Sequence, residues 1–176
     1  YDFETKVTKS FTLYAKWEKI DEESEDTDTH NCPLKAFDDL DIDAWYHEAV
    51  DYALENGIFK GIGETTFAPN DKLTRAMLVT VLYRMENEPA TNRSIPFSDV
   101  DMGAYYANAI SWAKQNGIVN GVTENEFAPN DYITREQIAT IMMRYAVYKG
   151  MDAITLEENL HFADAAEISE YSVSSM

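Results

Sequence analysis

Shifting the chain by 60 places lays residues 37–86 over residues 97–146 without a gap, and 21 of the 50 paired positions are identical. No other feature of the sequence constrains the fold as much. Repeats of this length are supersecondary units that bury a core by packing on their neighbours. A unit of roughly 50 residues is marginal alone, because it buries too little of its surface on folding. A third copy opens at Phe162-Ala163-Asp164, echoing Phe97-Ser98-Asp99, and reaches Met176 near the first turn of its first helix.

Within each copy the local signals agree. Both open on Phe-x-Asp, with Phe37 and Asp39 in the first and Phe97 and Asp99 in the second. Tyr46, Ala49, Val50, Ala53 and Leu54 then fall at helical spacing, as do Tyr106, Ala109, Ile110, Ala113 and the alkyl-stemmed Lys114. Asn56-Gly57 and Asn116-Gly117 stop these helices, the glycine supplying a left-handed residue. The loop Phe67-Ala68-Pro69-Asn70-Asp71 recurs unchanged as Phe127-Ala128-Pro129-Asn130-Asp131, with Phe as a core plug and Pro-Asn as the turn. Thr74 and Thr134 are N-caps for a second helix, and Gln137 completes a capping box that Met77 cannot. Apolar stripes follow at Leu78, Val81, Leu82, Met85 and at Ile138, Ile141, Met142, Tyr145. Each copy therefore reads as helix–loop–helix.

The flanks differ in character. Phe11-Thr12-Leu13-Tyr14-Ala15-Lys16-Trp17 alternates large apolar with polar or amphipathic side chains, the period of a half-buried strand, so residues 1–20 read as the end of a β-rich unit. Residues 21–28 hold six carboxylates in eight positions and read as a solvated linker running to residue 35. The two full copies then occupy 36–90 and 96–150, and the third opening 160–176. No secretion signal is visible, and a chain that opens inside a strand pattern reads as a piece of a longer protein.

With 32 acidic against 14 basic residues the net charge is −18, which excludes nucleic acid as a partner, since binding there depends on Lys and Arg at the phosphates. No apolar run of about 18 residues is present to insert in a membrane. Cys32 is the single cysteine, so no internal disulfide can form.

In both copies the ordered set of motifs is Phe-x-Asp-Val/Leu, the aromatic pair Trp45-Tyr46 or Tyr105-Tyr106, a Gly-Ile-x-x-Gly turn, Phe-x-Pro-x-Asp and Thr-Arg. This set resembles the S-layer homology domain. The stretch YDFETKVTKSFTLYAKW before it resembles the last strands of the Listeria–Bacteroides repeat of surface proteins. The S-layer resemblance implies a mainly α fold, with the helix–loop–helix copies packed as a pseudo-threefold bundle whose third copy is truncated here. It also implies a secreted protein held non-covalently at the cell wall through secondary wall polysaccharide, often a pyruvylated amino sugar. Ligand contact then falls to Arg75 and Arg135, to Asp39 with Trp45 and Asp99 with Tyr105, and to the turn glycines Gly61 and Gly121. The usual Thr-Arg-Ala-Glu reads Thr74-Arg75-Ala76-Met77 and Thr134-Arg135-Glu136-Gln137, so no carboxylate stands at its last place.

Chemistry weighs these residues separately. A pyruvyl ketal carries a planar carboxylate, which guanidinium meets with two charge-assisted bonds. An acidic polymer can dock on a protein of this charge only where such a cation is presented locally. Arg75 and Arg135 either do this, or close the repeat by pairing with a nearby Asp. Asp39 and Asp99 are equally suited to forming turns. Trp45 and Tyr105 either stack on a sugar or fill the interface between copies. The glycines serve the backbone first.

Two other classes fail. Asp39-x-Asp41-x-Asp43 suggests a calcium loop, but Ala44 and Val50 stand where Gly and Glu are needed, so no metal or cofactor is expected. His30, His47 and His161 share no ligand spacing, and no nucleophile elbow or phosphate loop is present, so the repeats carry no catalytic machinery. The rival to wall binding is a protein-interaction module, with the copies docking further repeats or self-associating.

Overall fold

A computed structural model describes residues 32–151 and 167–172. The strand expected over 1–20, the linker as far as residue 31, and residues 160–166 and 173–176 of the third opening lie outside the described residues. The described chain is mainly helical: α1 (His47–Glu55), α2 (Arg75–Met85), α3 (Ala107–Gln115) and α4 (Arg135–Tyr148), one helix–loop–helix per copy. A 3₁₀ helix, Pro33–Ala36, precedes them within the stretch expected as linker, because Leu34 is buried there and its N–H donates to Asp51 Oδ1 at 2.8 Å. The extended chains before α2 and α4 meet in one isolated antiparallel bridge, Thr74 with Tyr132.

The helix ends follow from the residues placed there. Thr74 Oγ1 accepts from Met77 N at 3.2 Å and Thr134 Oγ1 from Gln137 N at 3.3 Å, and Gln137 Oε1 reaches back to Thr134 N at 3.4 Å. At the ends of α1 and α3, Gly57 and Gly117 sit at φ 64° and 69°. Ile58 N then donates to Ala53 O, and Ile118 N to Ala113 O, both at 2.8 Å. Gly57 N and Gly117 N close the shorter inner bond to Leu54 O and Lys114 O. Both ends are thus Schellman motifs, which satisfy carbonyls the helix leaves without partners.

The core is centred on the second copy. Leu78, Val79, Leu82 and Tyr83 of α2 pack against Ile110, Trp112 and Ala113 of α3, with Phe97, Phe127, Ile118 and Val119 beside them and Ile141 and Tyr145 of α4 closing the far side. Matching residues therefore have unlike surroundings. Phe127 is fully buried and Phe67 only partly so; Ala109 is buried, whereas Ala49, counted in the apolar stripe of α1, is exposed. The second copy has neighbours on two sides, and the first is covered chiefly on one. At the distal end Glu86 ties the copies together, accepting from Tyr145 OH at 2.5 Å and from Lys149 Nζ at 2.8 Å.

Candidate functional site

The repeated Phe-Ala-Pro-Asn-Asp loop turns through an alanine in the left-handed region, Ala68 at φ 62° and Ala128 at φ 56°. That conformation is unfavourable for a residue with a side chain. The opening aspartate of each copy holds it in place. Asp39 Oδ1 and Oδ2 accept from Phe67 N at 2.8 Å and Ala68 N at 2.6 Å; Asp99 accepts from Phe127 N at 2.9 Å and Ala128 N at 2.7 Å. The two amides hold the Asp39 carboxyl below its ordinary range. Both oxygens of each aspartate face the loop.

Gly61 and Gly121 lie under the same loops. A Cβ on Gly61 would come 2.5 Å from Phe37 Cε1 and 2.8 Å from Thr66 O. On Gly121 it would collide with the carbonyl oxygens of Thr123 and Glu126 and lie 2.8 Å from Phe97. The turn is too tight for any other residue.

Arg75 is the first residue of α2, yet its partners belong to the second copy. Its Nε donates to Phe127 O at 2.8 Å, Nη1 to Gln137 Oε1 at 3.1 Å and Nη2 to Asn120 O at 3.4 Å. The guanidinium lies 4.7 Å from the centre of the Phe127 ring and the residue is only 5% exposed. Burial lowers its pKa against the nearby Tyr171, Asp131 and Asp99, but a guanidinium stays charged at any working pH. Three of its five N–H groups are used, leaving one on each terminal nitrogen.

Arg75 borders a groove of ≈ 320 Å³, lined also by Asn120, Gly121, Val122, Gln137, Thr140, Ile141, Arg144 and Tyr171. Of the residues expected to meet a ligand, the groove gathers Arg75 and Gly121. Arg144 is a second cation, missed in the sequence although it matches Arg84 within the duplication. Arg84 itself is engaged, donating to Ile58 O at 3.2 Å.

Arg135 is placed differently. It is exposed, and its side chain makes no hydrogen bond or ion pair with a described residue. Beside it Glu136 grips the described part of the third opening, accepting from Ser169 N at 3.1 Å, Tyr171 OH at 2.9 Å and Ser172 Oγ at 3.3 Å. The Ser169 amide leads in holding Glu136 below the usual carboxylate range. Trp45 is 94% exposed and Tyr105 63% exposed, each edge-to-face with its neighbour Tyr46 or Tyr106 and neither in the groove. Asp39 and Gly61 lie outside it as well.

Elsewhere among the described residues, one cluster could hold a metal. Cys32, His47 and Asp51 bring a sulfur, a nitrogen and an oxygen within 4.8 Å of one another. The His47–Asp51 spacing along α1 was legible, but the approach of Cys32 was not.

Residues 36–76 and 96–139 match the S-layer homology domain. The chain carries two S-layer homology domains. It is 34% identical over 135 residues to an endoglucanase of Bacillus sp. (strain KSM-635), a span covering 77% of this chain and 14% of that protein. It is 35% identical over 140 residues to an amylopullulanase of Thermoanaerobacterium thermosulfurigenes, 78% of this chain and 7% of the relative. With the surface-layer 125 kDa protein of Lysinibacillus sphaericus it shares 31% over 136 residues, 76% of this chain and 11% of the relative. The chain thus spans only a small part of the curated relatives it matches, and the similarity to proteins named as enzymes is confined to that part. Among the described residues no helix is long and apolar enough to cross a membrane.

Proposed function

We propose that the S-layer homology domains of this chain anchor a cell-surface protein non-covalently to the wall, by binding an acidic secondary polysaccharide in the groove that the second copy forms with Arg75 of the first and Tyr171 of the third opening. The arrangement of Arg75 carries this reading. Its fork is fixed by Phe127, Gln137 and Asn120 with two N–H groups to spare, and Arg144 adds a second charge on the same groove. Preorganised guanidinium recognises a planar carboxylate bidentately, so a pyruvylated amino sugar fits the chemistry. Two cations gathered in one groove offset locally the repulsion that a net charge of −18 imposes on any acidic polymer.

In this reading Asp39, Asp99 and Gly61 shape the loops and do not touch the sugar, while Gly121 lets the chain pass close to it. Trp45 and Tyr105 offer stacking faces beyond the groove, and Arg135 offers an exposed cation beside Glu136. Strands of a Listeria–Bacteroides-type repeat over residues 1–20 would make the preceding part of the protein a surface module as well.

Cosedimentation with purified wall sacculi, before and after stripping of the secondary polymer, tests the proposal. Binding confined to intact walls and lost in Arg144→Ala supports it. Equal binding to stripped walls, or no effect of Arg144→Ala, turns the assignment toward a protein-interaction surface.

A further inference from the structure

Away from the groove, the Cys32, His47 and Asp51 side chains converge where the chain enters the first copy. Cys32 Sγ lies 3.2 Å from His47 Nε2, and the same nitrogen lies 3.0 Å from Asp51 Oδ2. A shared nitrogen excludes a thiol–imidazole–carboxylate relay, which needs the thiol on one ring nitrogen and the carboxylate on the other. Asp51 gathers both neighbours, His47 Nε2 at 3.0 Å and the Cys32 thiol through a side-chain hydrogen bond.

Sulfur, nitrogen and oxygen donors thus converge within 4.8 Å of one another, and we propose that Cys32, His47 and Asp51 form a binding site for a transition-metal ion of the zinc type. Thiolate with imidazole and carboxylate selects such an ion over calcium or magnesium, which take oxygen ligands. Zinc bond lengths in a tetrahedron place nitrogen about 3.5 Å from sulfur and about 3.4 Å from oxygen. The unloaded separations of 3.2 and 3.0 Å come within a few tenths of an ångström of these.

The outer support is present too. The second oxygen of Asp51 accepts from Leu34 N at 2.8 Å, and Asp51 itself is only 4% exposed, so the carboxylate is aimed before any metal arrives. Cys32 and His47 are half-buried, which leaves a route in and a fourth position for water. On binding, the thiol releases its proton to solvent. The ion would join the 3₁₀ helix to the first turn of α1, in the half of the fold with the thinner core. The site is independent of the groove and of what the groove binds.

Cobalt(II) titration of the metal-stripped chain, under a non-thiol reductant, reads the site directly. One equivalent should bring up a thiolate-to-cobalt charge-transfer band with the visible bands of tetrahedral cobalt, and zinc(II) should displace both. Cys32→Ser should abolish the charge-transfer band, and His47→Ala should weaken binding at least about tenfold with an unchanged far-ultraviolet circular dichroism spectrum. Both positions are half-buried and tolerate these changes without loss of the fold. The proposal is overturned if no charge-transfer band forms at one equivalent, if the Cys32→Ser spectrum matches the parent, or if His47→Ala binds as tightly.

Discussion

Arg75 begins a helix of the first copy, but its Nε–H is donated to the carbonyl of Phe127 in the second, 2.8 Å away. The joint between the copies and the edge of the groove are therefore one residue, and a substitution there should disturb stability and binding together. Arg75→Met leaves the Phe127 carbonyl and the Gln137 amide oxygen without their charged donor, so unfolding in urea should show a loss of about 2–4 kcal/mol. Arg75→Lys keeps the charge without the fork and should recover only part of it. By contrast Arg144→Ala and Arg135→Ala, with no partner to strand, should each shift stability by about 0.5 kcal/mol or less. Of these two, only Arg144→Ala should also release the protein from intact walls.

The glycines separate conformation from space. Gly117 has φ 69° and nothing within 4 Å of an added Cβ, so Gly117→Ala should cost about 1 kcal/mol for the left-handed backbone. Gly121→Ala meets the carbonyls of Thr123 and Glu126, backbone atoms that cannot swing aside, and should cost about 2 kcal/mol or more. Paired thermal melts give the comparison.

Acid should weaken the loops. Asp39, Glu86 and Glu136 are all held below their ordinary pKa in the folded chain, Asp39 by the Phe67 and Ala68 amides, Glu86 by Lys149 and Glu136 by the Ser169 amide. Their contribution is complete above the ordinary carboxylate range, and is lost as pH falls below about 5 and through the lowered values, where the unfolded chain binds more protons. Relief of self-repulsion in so acidic a protein acts the other way. The informative quantity is the difference between the parent and Asp39→Asn, which should narrow steadily as urea unfolding is repeated at lower pH.

Tyr145 should leave an alkaline signature. Burial and the bond to Glu86 push its hydroxyl up to about 12 from 10.0. A raised folded value means that the stabilisation is present below the ordinary pKa and is lost as pH rises toward the folded one. Tyr145→Phe should cost about 1 kcal/mol at neutral pH, and its gap from the parent should close between 10.0 and about 12. Ultraviolet titration should show a tyrosine that ionises near about 12 in the parent and is missing from the variant.

The parts of the fold that were legible are those set by short-range rules. Thr74 and Thr134 cap, Gly57 and Gly117 terminate, and the Phe-Ala-Pro-Asn-Asp loops turn where the residues say they should. Arg75 and Arg135 look alike in the sequence but stand in different surroundings among the described residues, because burial depends on a repeat's neighbours, and these two have different ones. Arg75 lies against a whole second copy; Arg135 stands exposed beside the short described part of the third. Gln137 looked like a mere departure from Thr-Arg-Ala-Glu, since nothing local shows that its amide faces an arginine 62 positions earlier. The approach of Cys32 to α1 was hidden for the same reason, being made by the Pro33–Ala36 turn and not by spacing.

The acceptor on Gln137 has a consequence for order. At the matching place in the first copy stands Met77, whose thioether accepts hydrogen bonds only weakly. An arginine offered to the first copy from upstream would find no amide oxygen there, whereas the second copy is fitted to receive one. The two copies are therefore not interchangeable beads. One gives and the other takes, and transposing them would place a guanidinium against sulfur.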